Sequence, residues 1–235
     1  MIVLTLAGLS TRFYSKGYSK VKFLLPWGKV TLIEQILNYI PKENKILLIL
    51  NKNHNLKKDI SSILKSLEFK DFFICEIENT QGQMDSLFIG LTKAKTFFNI
   101  NDPLTVFNGD TIRKSENWTN FKGDIFIEVF RAEGDHWSFV NKLGFIDKIE
   151  EKNRISDFCS NGLYYFAKAK YVLNYYESFK KTHSFKNEIY VSFFINHLLS
   201  SNFKSFSKLI DSDRIILCGK PEEYEMSLLK NFKNA

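Results

Sequence analysis

Residues 2–8 read Ile-Val-Leu-Thr-Leu-Ala-Gly, a short apolar run that ends in a small residue and a glycine. Such a run is typical of a buried strand in a parallel sheet. Residues 8–28 are rich in Gly, Ser, Thr, Lys and Arg and show no sustained helical period. We therefore expect a long loop after the first strand, and ordered loops of this length are usually functional.

Strand and helix patterns alternate through the rest of the first half of the chain. Thr31 is predicted to cap a helix, because Glu34 follows three residues later and an apolar stripe continues to Pro41. The subsequent predicted elements are strand 45–50, helix 56–67, strand 72–77, helix 83–98 and strand 104–107. This alternation predicts parallel strands joined by right-handed crossovers, with ligands at the carboxyl ends of the strands.

The second half of the chain continues without a linker, repeat or low-complexity segment. Its predicted elements are strands 125–129, 145–149 and 163–166 and helices 167–179 and 190–199. A length of 235 residues suits one domain. We therefore expect a single α/β domain over residues 1–235.

The composition excludes several protein classes. Hydrophobic residues make up 44% and charged residues 25%, which excludes a disordered tail and a collagen. No apolar run approaches the roughly 18 residues that cross a bilayer, and the N-terminal residues resemble no secretion signal, so we expect a cytoplasmic protein without membrane contact. Cys75, Cys159 and Cys218 lie far apart and show no metal-ligand spacing to a histidine, so we expect reduced, structural thiols.

Positive charge is concentrated near the N-terminus. The formal net charge is +7, and the first fifty residues contain seven basic residues but only two acids, Glu34 and Glu43. Clustered cations attract a nucleotide, a nucleic acid or an anionic membrane, although a solvated surface would show the same pattern. Because the charge lies in one loop and not along a recognition helix, we expect no nucleic-acid partner.

Two segments carry residues suited to phosphate and metal chemistry. Gly8 lets backbone N–H groups approach phosphate oxygens, and the Ser10 and Thr11 hydroxyls add donors. Arg12 can clamp a phosphate with two N–H groups. Asp110 follows the predicted strand 104–107 closely, where a carboxylate faces the ligand crevice and could bind Mg²⁺. The alternatives are a tight turn with solvated cations and an ordinary turn aspartate.

Several longer segments occur in a characteristic order. They are Leu6-Ala7-Gly8-Leu9-Ser10-Thr11-Arg12-Phe13, Lys22-Phe23-Leu24-Leu25-Pro26, Gln81-Gly82, Asn108-Gly109-Asp110, Glu151-Lys152, Asn161-Gly162-Leu163-Tyr164-Tyr165 and Asn187-Glu188-Ile189-Tyr190-Val191. In this order they resemble the sugar-phosphate nucleotidyltransferase family, whose members join a nucleoside triphosphate to a phosphorylated acceptor and release pyrophosphate. The resemblance is strongest to short members from capsule and surface-polysaccharide clusters, through Trp137-Ser138, Ile155-Ser156-Asp157 and Gly219-Lys220-Pro221-Glu222-Glu223.

The resemblance implies a fold and a set of binding residues. The implied fold is a single-domain Rossmann-like α/β domain, similar to the GT-A fold, with a mixed, mostly parallel sheet flanked by helices. Residues 1–115 would bind the nucleotide and residues 116–235 the acceptor. The residues implied to bind the nucleotide are Leu6, Ala7, Gly8, Ser10, Thr11, Gln81, Gly82 and Asn108. Those implied to bind the acceptor are Trp137, Glu151, Lys152, Asn161, Gly162 and Glu188.

The resemblance also implies three catalytic groups. Arg12 would neutralise the β and γ phosphates, Lys22 would stabilise charge at the α phosphorus, and Asp110 would hold Mg²⁺. An acceptor phosphate oxygen is already a nucleophile at neutral pH. The reaction therefore needs alignment and cations, and no general base.

The chain departs from the family pattern at three places. Phe23 and Val30 follow Lys22 and Lys29, where proline is usual. Ser10 stands where a second glycine is usual, and Leu217-Cys218-Gly219 stands where many relatives supply a second metal carboxylate; Asp211 or Asp213 could substitute. These departures leave open a catalytically silent, nucleotide-binding subunit of the same fold. A glycosyltransferase that consumes a nucleotide sugar is a further alternative, although such enzymes generally carry Asp-x-Asp, and Asn108-Gly109-Asp110 lacks the first acid.

The resemblance narrows the range of possible substrates but does not identify a single nucleotide or acceptor. It favours CTP over dTTP, UTP and GTP, with a phosphorylated sugar, polyol, amine or amide as acceptor and a capsule or surface polysaccharide as the destination. Trp137, Tyr164 and Tyr165 suit a compact amine or polyol as well as a pyranose ring. The 23 phenylalanines leave room for a homodimer.

Overall fold

The structure is a computed structural model that describes residues 1–183 and 188–233, so the Asn187 position of the resemblance lies outside the described residues. The strands are β1 (Ile2–Leu6), β2 (Pro26–Trp27), β3 (Val30–Thr31), β4 (Ile46–Asn51), β5 (Phe72–Ile77), β6 (Leu104–Asn108), β7 (Thr111–Arg113), β8 (Ile125–Arg131), β9 (Ser138–Val140), β10 (Gly144–Ile146), β11 (Ile149–Glu151), β12 (Phe158–Phe166), β13 (Ser205–Leu209) and β14 (Ile215–Leu217). The helices are α1 (Thr11–Ser15), α2 (Leu32–Asn38), α3 (Lys57–Ser66), α4 (Gln83–Lys93), α5 (Lys170–Thr182), α6 (Val191–Leu199) and α7 (Pro221–Lys233). Short 3₁₀ turns cover Lys22–Leu24, Lys52–His54 and Ser212–Arg214.

One mixed sheet organises the chain, with the strand order β10-β13-β8-β12-β6-β1-β4-β5. Strands β6, β1, β4 and β5 run parallel, as the N-terminal alternation predicts. Strand β12 is antiparallel to both β6 and β8, while β13 runs parallel to β8. The carboxyl ends of β1 and β6 therefore lie side by side, which places the loop after β1 next to the residues after β6.

Helices cover both faces of this sheet. Side chains alternate along β1, so Val3 packs on the face covered by α4, α5 and α6, and Leu4 packs on the face covered by α2 and α3. Both residues are fully buried. The predicted α/β class, with a mixed sheet flanked by helices, is confirmed.

Most predicted elements of the N-terminal half are confirmed. Strands β1 and β5 have the predicted bounds, and α2 begins with a capping box in which Thr31 and Glu34 bond reciprocally. The expectation of a plain loop over residues 8–28 is wrong, because this segment contains α1, a 3₁₀ turn and β2. Helix α4 ends at Lys93, short of the predicted residue 98.

The second half differs more from the prediction. The strand predicted over residues 145–149 divides into β10 and β11, because the chain turns at Asp147, whose carboxylate accepts hydrogen bonds from Asn141 Nδ2 at 2.7 Å and Lys142 Nζ at 2.6 Å. Strand β12 begins at Phe158, well before the predicted residue 163. Strands β9, β13 and β14 and helix α7 were not predicted.

Two expectations about the whole chain, on its cysteines and on membrane-spanning helices, can be compared with the structure. Cys75, Cys159 and Cys218 are buried and free of disulfides, as expected. Burial raises the pKa of the Cys218 thiol to about 12, which suits an inert side chain. Over residues 1–183 and 188–233, every helix is too short or too polar to cross a lipid bilayer.

Candidate active site

The loop after β1 is held closed by Ser10. This residue has φ of 53°, in the left-handed region that favours glycine, and it caps α1. Its Oγ accepts a hydrogen bond from the backbone N–H of Lys22 at 3.0 Å. This bond, to a residue twelve positions along the chain, helps to stabilise serine in a backbone conformation that favours glycine. The bond also fixes the start of the 3₁₀ turn that carries Lys22.

The other predicted loop residues surround this closure. Leu6 is buried at the end of β1, Ala7 is half-buried, and Gly8, Thr11 and Arg12 are exposed. A Cβ atom built on Gly8 would meet nothing within 4 Å, so this stretch of backbone borders open space. The exposed N–H groups and side chains are therefore accessible to an anionic ligand.

Lys22 and Asp110 meet as an ion pair. Lys22 Nζ donates to Asp110 Oδ2, and the two side chains are 25% and 18% exposed. They come from segments far apart in the sequence, Lys22 from the loop after β1 and Asp110 from the turn after β6, but β1 and β6 are neighbouring parallel strands. Adjacent strand ends thus bring together the two groups that the resemblance assigns to the α phosphorus and to Mg²⁺.

A close contact joins the end of β6 to β12. Gly162 has φ of 88°, and a Cβ atom built on it would lie 2.1 Å from Asn108 Nδ2. Asn108 Oδ1 accepts a hydrogen bond from Gln83 Nε2 at 2.8 Å, and the same amide donates to Thr5 Oγ1 at 2.9 Å. Only glycine fits at position 162, and the contact fixes Asn108 between β1, β12 and α4.

The predicted base-binding turn packs against the segment that follows the undescribed residues. Gly82 has φ of 146°, and a Cβ atom there would lie 2.5 Å from Ile189 N and 2.7 Å from Glu188 Cγ. Ile189 N–H donates to Gln81 O at 2.7 Å. The Asp85 carboxylate accepts from Gln81 N–H at 3.1 Å. The structure therefore brings Gln81 and Gly82 next to Glu188, which the resemblance assigns to the acceptor.

Lys152 and Trp137, which the resemblance assigns to the acceptor, lie together. Lys152 has φ of 56°, and its backbone N–H donates to Trp137 O at 2.8 Å. The Lys152 ammonium donates to the Tyr190 hydroxyl and lies 4.2 Å from the centre of the Tyr190 ring. Burial and a hydrogen bond to Glu188 raise the pKa of Tyr190. Tyr190 is therefore a neutral hydrogen-bonding partner for this lysine at physiological pH.

Glu151 points into the fold beside Lys152. Its carboxylate accepts hydrogen bonds from Ser138 Oγ and from Ser192 Oγ, the latter at 2.7 Å. Burial raises the pKa of Glu151, although both hydroxyl bonds oppose the shift. Burial also raises the pKa of neighbouring Tyr164 to about 12. These contacts suit Glu151 to hold the strand ends that carry Lys152.

Asn161 lies in the interior. It is 2% exposed, and its Nδ2 donates to Glu128 Oε2 at 2.6 Å. Glu128 accepts two further hydrogen bonds from Arg113 Nε and Nη2, at 2.6 and 2.7 Å, and Arg113 is 1% exposed. The side chain of Asn161 is thus directed into a buried ion-pair network, while its neighbour Gly162 contacts the site residue Asn108.

A cleft of about 310 Å³ opens beside α1. Its lining residues are Arg12, Ser15, Lys16, His136, Lys152, Lys220, Pro221 and Glu222. Arg12 and Lys152, predicted for the nucleotide and the acceptor phosphate respectively, share this one cleft. Lys220 and His136 were not predicted as site residues. Burial and the charge of Lys220 lower the pKa of His136, so its imidazole is neutral at physiological pH.

The C-terminal segment passes beside Asp110. Cys218 N–H donates to Asp110 O at 2.9 Å, and a Cβ atom built on Gly219 would lie 3.3 Å from Asp110 Oδ2 and 3.5 Å from Glu223 Oε2. Asp211 and Asp213 are exposed before β14. Among the described residues, no group of three His, Cys, Asp or Glu side chains could hold a metal ion. Asp110 nevertheless suits Mg²⁺, which needs one or two carboxylates when phosphate oxygens and waters complete its shell.

Comparison with known proteins identifies the family to which the chain belongs. No protein-family model and no curated protein sequence matches the chain. The solved structure of the nucleoside-diphosphate-sugar pyrophosphorylase from Vibrio cholerae RC9 is 30% identical and superposes with a TM-score of 0.89, over 97% of this chain and 100% of that chain.

Two more distant structures share the fold. The inositol-1-phosphate CTP transferase from T. maritima is 12% identical, with a TM-score of 0.75 over 100% of this chain and 96% of that chain. A UDP-glucose pyrophosphorylase complexed with UDP-glucose is 15% identical, with a TM-score of 0.72 over 100% of this chain and 98% of that chain. Since the Vibrio protein is matched over its full length at 30% identity, the chain belongs to the sugar-phosphate nucleotidyltransferase family.

Proposed function

We propose that this protein transfers a nucleotidyl group from a nucleoside triphosphate to a phosphorylated small-molecule acceptor and releases pyrophosphate. The observation that carries the proposal is the Lys22–Asp110 pair at the mouth of the loop after β1. Arg12 and Lys152 support it, because they line one cleft from the nucleotide and the acceptor sides. Arg12, Lys22 and Lys152 supply positive charge that suits two phosphorylated substrates, and Asp110 supplies a carboxylate that suits a metal ion.

The chemistry follows from these groups. An oxygen of the acceptor phosphate forms a bond to the α phosphorus, the bond from that phosphorus to the β-phosphate oxygen breaks, and the electron pair leaves with pyrophosphate. Negative charge grows on the equatorial and leaving oxygens, where Lys22 and Arg12 stabilise it. Lys152 would orient the attacking phosphate. When bound, Mg²⁺ would neutralise phosphate charge, and Asp110 is the residue that would hold it.

The proposal extends to the division of labour along the chain. Residues 1–115 contribute the loop, the Gln81–Gly82 turn and Asp110, and we assign them to the nucleotide. Residues 116–235 contribute Lys152 and the surrounding aromatic and acidic side chains, and we assign them to the acceptor. Lys220 belongs to residues 116–235 but lines the same cleft as Arg12, so both parts of the chain would contribute to phosphate binding.

The finer substrate assignment is also proposed. We favour CTP as the nucleotide, because the chain most resembles the short capsule-type members of the family, some of which resemble cytidylyltransferases. The acceptor would be a phosphorylated sugar, polyol, amine or amide. The activated product would serve capsule or other surface-polysaccharide synthesis in the cytoplasm, where nucleoside triphosphates are made. A homodimer is compatible with exposed Phe145 and Leu143 at the β10 edge of the sheet.

One specific observation favours a second candidate, a silent subunit that binds a nucleotide without turning it over. Gly219 faces Asp110 where many relatives are expected to supply a carboxylate. The two candidates differ in one measurable property, since a silent subunit binds a nucleoside triphosphate and releases no pyrophosphate. The glycosyltransferase alternative predicts release of a nucleoside diphosphate from a nucleotide sugar.

The deciding experiment is a pyrophosphate-release assay with CTP, UTP, dTTP and GTP, each combined with a panel of phosphorylated sugars, polyols and amines. Lys22→Ala and Asp110→Asn are each expected to lower turnover by about a hundredfold or more, as loss of one preorganised electrostatic group does. Lys58→Ala, at an exposed position on α3, is the matched control. Normal turnover in the two site variants, with thermal unfolding unchanged, would remove both residues from the mechanism.

A further inference from the structure

The C-terminal segment contributes an unassigned cation to the cleft. Lys220 immediately precedes α7, its side chain is 34% exposed, and it lines the same cleft as Arg12 and Lys152. Its Nζ atom lies 3.9 Å from Glu223 Oε1, beyond hydrogen-bond distance. Among the described residues, the ammonium group therefore has an ion-pair contact with Glu223 but no side-chain hydrogen bond.

The position of Lys220 is fixed by the backbone on both sides. Gly219 N–H and Lys220 N–H both donate to Glu223 Oε2 at 3.1 Å, which caps α7. One residue earlier, Cys218 N–H bonds to Asp110 O. Both backbone N–H groups therefore already have an acceptor in Glu223. The Lys220 ammonium group is the donor of this segment that remains able to bind an anion.

Charge in the cleft is unbalanced. Its lining includes the cations Arg12, Lys16, Lys152 and Lys220, while Glu222 is the one carboxylate that lines it among the described residues. Glu222 lies 3.4 Å from Lys16, and both of those side chains are more than half exposed. The other three cations face one volume together. A concave site with this excess of positive charge matches a ligand with several negative charges.

We propose that Lys220 is a phosphate-binding residue that contacts the β and γ phosphates of the nucleotide, and pyrophosphate after transfer. This inference rests on the proposed function. The polyphosphate is favoured over the acceptor phosphate because Arg12, Ser15 and Lys16, all from the first loop and α1, line the cleft together with Lys220. Lys152, the residue assigned to the acceptor phosphate, is instead engaged with Tyr190.

The test measures binding of inorganic pyrophosphate, with Mg²⁺ present, to the full chain by isothermal titration calorimetry. Lys220→Ala is expected to weaken binding about tenfold, the loss typical of one charge-assisted hydrogen bond. Lys220→Arg keeps the charge and should restore most of the affinity. Lys58→Ala should bind as the wild type does. A Lys220→Ala protein that binds pyrophosphate within twofold of the wild type would overturn the inference.

A parallel titration with inorganic phosphate separates the two phosphate sources. If Lys220→Ala loses affinity for phosphate while pyrophosphate binding is unchanged, the assignment to the polyphosphate is wrong. Failure of the proposed function would look different, since the wild type would then release no pyrophosphate with any substrate pair. Thermal unfolding of each variant identifies any loss of binding that comes from misfolding.

Discussion

Replacing Asn161 by alanine is expected to destabilise the fold and to leave acceptor binding almost unchanged. Asn161 Nδ2 donates to Glu128 Oε2 at 2.6 Å, and Asn161 Oδ1 accepts from Leu163 N–H at 3.0 Å. Both bonds lie in the interior, where Glu128 is paired with Arg113. The resemblance instead assigns Asn161 to the acceptor pocket, so the two interpretations predict different defects.

The magnitude follows from what is lost. A buried hydrogen bond to a charged group contributes about 1.5–3 kcal/mol, and Leu163 N–H also loses its partner, so the free energy of unfolding should fall by roughly 2–3 kcal/mol. For a chain of this length the midpoint of thermal unfolding should fall by roughly 4–12 °C. Glu128→Ala should cost more, about 3–5 kcal/mol, because it leaves the Arg113 charge buried and unpaired.

Urea unfolding followed by circular dichroism measures the stability, and pyrophosphate release with the best acceptor measures KM. Asn174→Ala, at an exposed position on α5, is the matched control and should change stability by no more than about 0.5 kcal/mol. If Asn161→Ala unfolds as the wild type does and raises the KM for the acceptor tenfold, the buried-network interpretation is refuted and Asn161 is a ligand of the acceptor.

Two further predictions concern the cleft. Gly219→Asp would place a second carboxylate beside Asp110 and should raise the affinity of the nucleotide-free protein for Mn²⁺. We expect an increase of about tenfold, the lower end of the effect of a residue that supports a metal ligand. A calorimetric titration with Mn²⁺ that gives the same affinity as the wild type would contradict this prediction. Burial, Lys220 and Arg12 lower the pKa of His136, and the charges of Glu223 and Asp135 oppose this shift. The folded state therefore prefers neutral imidazole, and the protein should lose stability as the pH falls below 6.5. His136→Gln should therefore show a smaller fall in thermal midpoint on acidification than the wild type; equal falls would exclude this linkage.

Local signals in the sequence were sufficient for much of the fold. The apolar runs of β1 and β5 both have the predicted bounds, although β1 lies inside the sheet and is almost wholly buried, while β5 is an edge strand and only half of its residues are buried. Helix α2 was predictable from Thr31 and Glu34, whose capping box involves neighbouring residues alone. The placement of Asp110 beside the first loop was predictable because it lies two residues after the end of a buried parallel strand.

Contacts between distant residues explain the misses. The closure of the first loop depends on a bond between Ser10 and Lys22, which no periodicity shows. The split of residues 145–149 depends on which strands β10 and β11 pair with, namely β13 and β9. Helix α7 did carry a usable signal, since Pro221 at its first position and Glu223 in its first turn are typical of a helix start.

The side chain of Asn161 is buried, which bears on the acceptor-binding role that the resemblance implies for it. Strand β12 alternates its side chains, so Leu163 and Tyr165 pack on the face covered by α2, and Tyr164 and Phe166 pack on the other. The register of β12 against β8 shifts between Ser160 and Tyr164. Such an irregularity changes which side chains face the ligand, and the sequence pattern gives no sign of it.

A two-stranded ladder links Asp110, the proposed metal ligand, to Lys220, the proposed phosphate-binding residue. Strand β7 begins directly after Asp110, and its antiparallel partner β14 is paired with Leu217 opposite Thr111. Continuing this register by one residue places Cys218 at Asp110, where the backbone bond is found, and the next two residues are Gly219 and Lys220. The same pairing therefore positions the glycine that faces Asp110 and the lysine that enters the cleft, so a shift of the β7–β14 register would disturb both.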